Sequence, residues 1–134
     1  MKKTRFIFLI LCVCSLVLEA LPYGAVCRFA TPEETIIETF SYFSLVPYGY
    51  ANFGPFITAV LTCLLFVFAV ILFASVGRKV IGAAKVVSII SVATSLLPIM
   101  LSCYNFVSFT ISLLMIAQFI VIMIISKRKG SKEE

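Results

Sequence analysis

A chain of 134 residues with 62% apolar and only 13% charged residues is too hydrophobic for a soluble domain and belongs in a membrane. Its net charge of +5 does not indicate nucleic acid, because ten of the eleven Lys and Arg residues fall in three clusters separated by apolar runs. Histidine and aspartate are absent and no glycine-rich phosphate loop occurs, so neither an enzyme, a cofactor nor a metal centre is expected.

The first predicted helix covers residues 6–21. Lys2, Lys3 and Arg5 ahead of an apolar run imitate a secretory signal. However, Leu18 stands where a cleavage site needs a small residue, and apolar character resumes beyond Ala20, so the segment is expected to stay on the chain. Glu19 is its sharpest residue, the one carboxylate inside a predicted span. Two placements suit it. At the outer headgroup level it would bond a loop amide; facing a protein interior it would be a candidate proton or ion site, since intramembrane carboxylates usually mark such pathways.

Residues 22–54 are too polar and too broken to lie in lipid and read as an outer loop. Pro22-Tyr23-Gly24 recurs as Pro47-Tyr48-Gly49, a turn composition at each end of the loop. Between them, two stretches rich in β-branched and aromatic residues flank Thr31-Pro32-Glu33-Glu34 and predict a β-hairpin at about 25–45. A lone hairpin is marginal in water, so it should lie on the helix ends or pair with another chain, and its unpaired edge is a docking surface. All five tyrosines fall on this side, as in a one-sided aromatic belt, with Tyr23, Tyr48, Tyr50 and Tyr104 as the outer interface.

Three further helices follow, at 55–76, 80–101 and 104–126. An inner connector at 77–85, a tight outer turn at 101–105 and a basic tail at 127–134 complete a single membrane domain. A span needs roughly 20 residues; the first helix is the shortest of the four runs. Ala84, Ser88, Ser91 and Ser95 form a small-residue stripe, and Ser108 and Ser112 follow on the last helix, marking contact faces where lipid supplies no hydrophobic force. From residue 113 to 125 the last helix is almost purely aliphatic and aromatic, as expected of a lipid-facing or end helix.

The basic clusters (Lys2, Lys3, Arg5; Arg78, Lys79, Lys85; Lys127, Arg128, Lys129, Lys132) put both termini and the middle connector in the cytoplasm, against anionic lipid. Cys12, Cys14 and Cys63 read as apolar filler, whereas Cys27 and Cys103 lie outside, where a disulfide would clamp the hairpin to the last outer turn. The expected fold is therefore an all-α membrane protein of four transmembrane helices with a small outer hairpin, in the cell membrane.

Residues 18–25 (LEALPYGA) and 41–59 (SYFSLVPYGYANFGPFITA) resemble small four-span membrane proteins of clostridia-like Gram-positive bacteria. That resemblance implies an architecture and no activity. The order of parts is similar to the claudin layout, without that loop's tryptophan and paired cysteines. The functional expectation is an interaction or accessory protein that binds a membrane-protein partner or itself through the hairpin and the small-residue faces. The alternative is a small proton-coupled exporter, since one carboxylate on a short first helix is similar to the small multidrug resistance family. A lesion-forming protein fits the sizeable outer loop less well.

Overall fold

The computed structural model describes residues 2–49, 52–75 and 77–131. Four long helices, α1 (Lys2–Ala20), α3 (Gly54–Ala74), α4 (Arg78–Met100) and α5 (Phe106–Gly130), form a bundle. A two-stranded antiparallel hairpin of β1 (Ala25–Ala30) and β2 (Thr35–Phe40), followed by the single helical turn α2 (Val46–Gly49), caps one end. Three of the helices, α3, α4 and α5, are long and apolar enough to cross a membrane. The chain is membrane-embedded. Although α1 has 19 residues, Lys2, Lys3 and Arg5 at one end and Glu19 at the other leave only 6–18 uncharged between them, a shorter apolar run than in the other three.

Each helix buries one stripe at spacings of three and four. The stripes are Phe8, Cys12, Ser15 and Glu19 on α1; Thr58, Thr62, Leu65, Ala69 and Leu72 on α3; Ile81, Ala84, Ser88, Ser91, Ser95 and Pro98 on α4; and Ile111, Met115, Gln118, Ile122 and Ile125 on α5. Alternating three and four averages 3.5 residues per turn, the period that keeps one face of each helix against its neighbours along their whole length. Neighbours around the bundle run α1, α3, α4, α5 and back to α1. The opposite faces, with Val60, Val67, Val86, Ile89, Leu113 and Ile120 exposed, form the lipid-facing surface.

The interior is layered. One apolar cluster, around Phe8, Leu72, Ile81 and Ile122, fills the basic end. A second, Ala25, Tyr42, Ala59, Ile111 and Met115, lies beneath the hairpin. Between them runs a band of buried polar side chains: Ser15, Glu19, Thr62, Ser91, Ser112 and Gln118.

Local signals explain the helix ends. Pro55 occupies the first turn of α3, where its missing amide hydrogen costs nothing. Asn105 caps α5 in a reciprocal box with Ser108. The turn at 101–105 needs one residue of positive φ, and Ser102 takes it at 56°. A Cβ on Gly54 would come within 2.8 Å of both Pro98 Cδ and the Thr94 carbonyl, so glycine is what lets α3 start against the end of α4.

Several expectations need correction. The helix expected at 80–101 starts two residues earlier, so Arg78 and Lys79 of the expected inner connector are helical as well, and among the described residues that link is only Ser75 and Gly77. With a strong apolar face in register on α3, α4 begins as soon as Gly77 permits it. The basic tail expected from residue 127 is helical to Gly130. Pro47-Tyr48-Gly49 is a helical turn rather than an open one. The hairpin is confined to 25–40, because Tyr42 turns inward to pack on the bundle. Nor is the second half of α5 simply lipid-facing, since Met115, Gln118, Ile122 and Ile125 all point inward.

Candidate functional site

Two features carry chemistry: the polar band inside the bundle and the open strand above it. In the band, Glu19 is fully buried, as the next-to-last residue of α1. Its side chain turns into the bundle, where Oε1 accepts from Thr62 Oγ1 at 2.8 Å, and Oε2 has no partner among the described residues. The loop-amide placement holds only for its backbone, whose carbonyl accepts from the Tyr42 amide at 2.9 Å. No cation is paired with it among the described residues. Thr62 Oγ1 also lies 2.8 Å from the Thr58 carbonyl and 3.8 Å from Met115 Sδ.

One turn deeper, Gln118 reaches from α5 into α1. Its Nε2 donates to Ser15 Oγ at 2.7 Å and to the Leu11 carbonyl at 3.2 Å, while Oε1 accepts from Cys12 Sγ at 3.7 Å. At the basic end Arg5 donates to the Leu72 carbonyl at 2.9 Å and Arg128 to Thr4 Oγ1 at 3.0 Å. The helix with the least apolar length is thus tied by polar bonds at four levels, which suits a medium in which apolar contact alone does not drive association. Sequence reading missed Gln118, although it is the one side-chain amide in its span and stands three residues after Met115 and four before Ile122, in register with the buried stripe.

The small-residue stripe lies where expected: Ala84, Ser88, Ser91, Ser95, Ser108 and Ser112 are all buried. Their hydroxyls mostly bond within their own helix, as Ser91 does to Val87 and Ser95 to Val92, so their main contribution is smallness. Two bonds cross between helices, Ser112 Oγ to the Ser95 carbonyl at 2.8 Å and Thr58 Oγ1 to Thr94 Oγ1 at 3.0 Å. Ser88 Oγ has no partner among the described residues.

Above the band, Tyr42 is fully buried and covers Gly24, with its hydroxyl unpartnered among the described residues. Burial, and then the nearby Glu19 charge, push its phenol well above the usual range. Of the proposed outer tyrosines, Tyr23 and Tyr104 are exposed, Tyr48 packs edge-on against Phe53 and Phe56, and Tyr50 lies outside the described residues. Cys27 is buried and Cys103 half-buried, both as free thiols. The start of β1 is brought to the turn at 101–105 by a hydrogen bond from Asn105 Nδ2 to the Tyr23 carbonyl. Burial raises the Cys27 thiol, with the charges of Cys103 and Glu38 adding to it.

The hairpin is asymmetric. β1 has Ala25, Val26 and Cys27 buried, and its Val26 carbonyl accepts from Asn52 Nδ2 at 3.1 Å. β2, the second strand of a two-stranded sheet, is exposed along every residue but Phe40, with Ile36 and Ile37 uncovered on opposite faces. No group of three or more metal-ligating side chains converges among the described residues. Comparison with protein-family models, curated proteins and solved structures gives no match, so the function is argued from these two features alone.

Proposed function

We propose that this chain is an integral membrane interaction protein with four spans, α1 being the fourth, and with both termini on the cytoplasmic side of the cell membrane. A membrane-protein partner, or a second copy, docks by adding a strand to β2. The observation that carries this reading is the contrast between the two strands. β1 is fixed to the bundle, while β2 offers an edge unpaired among the described residues and two exposed isoleucines. Exposed edges pair with other chains unless blunted, and lysine is the usual blunting residue. Ile37→Lys is the corresponding test, since Ile37 is 59% exposed and the substitution leaves the bundle untouched. In-cell crosslinking should capture a discrete adduct with the natural chain and lose it with Ile37→Lys. An adduct unchanged by Ile37→Lys contradicts edge docking.

A second reading, a small proton-coupled exporter working through Glu19, is favoured by hydrogen counting. Thr62 has one hydroxyl hydrogen and two oxygen acceptors at 2.8 Å. Both contacts are satisfied together when Glu19 carries a proton of its own and donates it to Thr62, which then donates to Thr58. Glu19→Gln separates the two readings, because an exporter loses transport whereas an interaction protein keeps its partner.

A further inference from the structure

The two legs of the hairpin meet at one residue, Tyr42. Gly24, the residue before β1, is covered so closely by the Tyr42 ring that a Cβ there would stand 2.9 Å from Tyr42 Cδ1. Tyr42 itself follows two residues after β2, donates its amide to the Glu19 carbonyl at 2.9 Å, and buries its side chain in the cluster with Ala25, Ala59, Ile111 and Met115. The seat of the hairpin is thus bonded directly to the residue that carries the buried carboxyl.

That carboxyl has one partner, Thr62 on Oε1, and Oε2 has none among the described residues. The titratable groups within electrostatic reach of it are Cys12 on α1, Cys63 on α3 and Tyr42. The buried side chains of α4 and α5 at this level, Ser91, Met115 and Gln118, are neutral. A thiol or a phenol gains only negative charge when it titrates, so nothing among the described residues compensates an ionised Glu19. The neutral acid fits, since it satisfies both short contacts of Thr62. The anion is a buried charge without a counter-ion, which costs far more than a lost hydrogen bond.

Layering sets the nearest route to water. Toward the basic end lie roughly 25 Å of α1. The apolar cluster around Phe8, Leu72, Ile81 and Ile122 fills that length. Toward the hairpin α1 ends one residue later, beneath the Tyr42 seat.

We propose that Glu19 and Tyr42 form a proton-operated latch on the hairpin: the hairpin is seated while Glu19 holds its proton, and loss of the proton drives the carboxylate toward water at the hairpin end and releases the Tyr42 seat. The neutral form favours the closed seat and the anion the open one. The seat therefore holds at low pH and is lost as rising pH removes the proton. A released hairpin carries the β2 edge with it, so pH on the hairpin side governs what that edge reaches. The inference rests on the proton assigned to Glu19 by the hydrogen count at Thr62, but on neither transport nor docking at β2.

Double electron–electron resonance on the full chain in detergent tests it. Nitroxides are placed at Thr35→Cys on β2 and Val60→Cys on α3, both exposed positions, in a chain whose native cysteines are alanine. The pH runs from about 5 to about 9, a window wide enough for an ordinary and for a buried carboxyl. Across it the narrow distance of the seated hairpin should give way to a displaced population that grows at least about tenfold, as expected when an uncompensated charge is left inside the bundle. Glu19→Gln, which keeps the neutral shape, should hold the seated distance throughout. Glu38→Gln, on exposed β2, should leave the response unchanged. Labels at Val60→Cys and Ile120→Cys, on the exposed faces of α3 and α5, should keep one distance, and circular dichroism checks that each variant keeps its helices. A hairpin distance that stays seated across the window overturns the latch, as does a displacement that persists in Glu19→Gln. The infrared band of the protonated carboxyl, identified by its loss in Glu19→Gln, then separates the two failures. A band that fades with rising pH leaves the proton assignment standing without the latch, and absence of the band at every pH removes both.

Discussion

Replacing Gln118 by leucine tests how α1 is held in the bundle. The amide makes two donor bonds to α1, at 2.7 and 3.2 Å, and accepts a weak one from Cys12. Leucine has similar volume, so the site is refilled rather than emptied, and Ser15 Oγ retains its bond to the Leu11 carbonyl at 2.9 Å. The one donor left without its acceptor is the weak Cys12 thiol, so the desolvation penalty is small and the loss is mainly that of the interhelical bonds themselves. In membranes such bonds average about 0.6 kcal/mol and reach about 1.7. Two of them predict a loss of roughly 1–2 kcal/mol, with the apolar replacement gaining little because lipid is as apolar as leucine. This corresponds to a roughly five- to thirtyfold rise in the population with α1 undocked. Cys12, fully buried beside Gln118, reports that population through its reactivity with a thiol reagent in mixed micelles, in a chain whose other cysteines are alanine. Reactivity of the Gln118→Leu chain within a factor of two of the parent would refute the idea that polar bonds hold α1.

Other substitutions probe separate parts of the account. Gly54→Ala places a Cβ 2.8 Å from a carbonyl oxygen and from Pro98, so it should destabilise by about 1–3 kcal/mol as an overpacked contact, read from the same micelle titration. Tyr42→Phe removes a buried hydroxyl with no partner among the described residues, and should be neutral or stabilising by up to about 1 kcal/mol, whereas a loss of more than that would mean that the hydroxyl is bonded in the membrane. Ser102→Gly relieves the positive φ at the outer turn and should stabilise by a few tenths to about 1 kcal/mol. For the outer thiols, burial and a thiol pKa raised by desolvation leave Cys27 with less thiolate than an ordinary cysteine at neutral pH. Alkylation of Cys27 should therefore be slower than that of Cys103 and accelerate as pH rises; equal rates at pH 7.5 would contradict its placement.

How far the sequence could be read depended on the kind of signal. Long apolar runs and the Thr31–Glu34 turn composition need only local chemistry, and they located the helices and the hairpin. The start of α4 was placed two residues late because the charges of Arg78 and Lys79 suggested solvent, whereas both stay exposed on a helix that buries Ile81 and Ala84. Gln118 was overlooked because hydropathy averages over a window and hides one amide among apolar neighbours. Its meaning appears only when the buried period of α5 is laid against Ser15 and Cys12, residues more than a hundred positions away. Glu19 was noticed, but its depth depends on how α3 packs against α1, which no local pattern encodes.

The central claim, that the outer hairpin recruits a protein, is tested most directly by the native mass of the chain after extraction in a mild detergent from the cells that make it, with identification of whatever comigrates. The account predicts a stoichiometric complex with a membrane protein or with a second copy, and its loss in Ile37→Lys. A monomer at every detergent concentration that preserves the helices would contradict it.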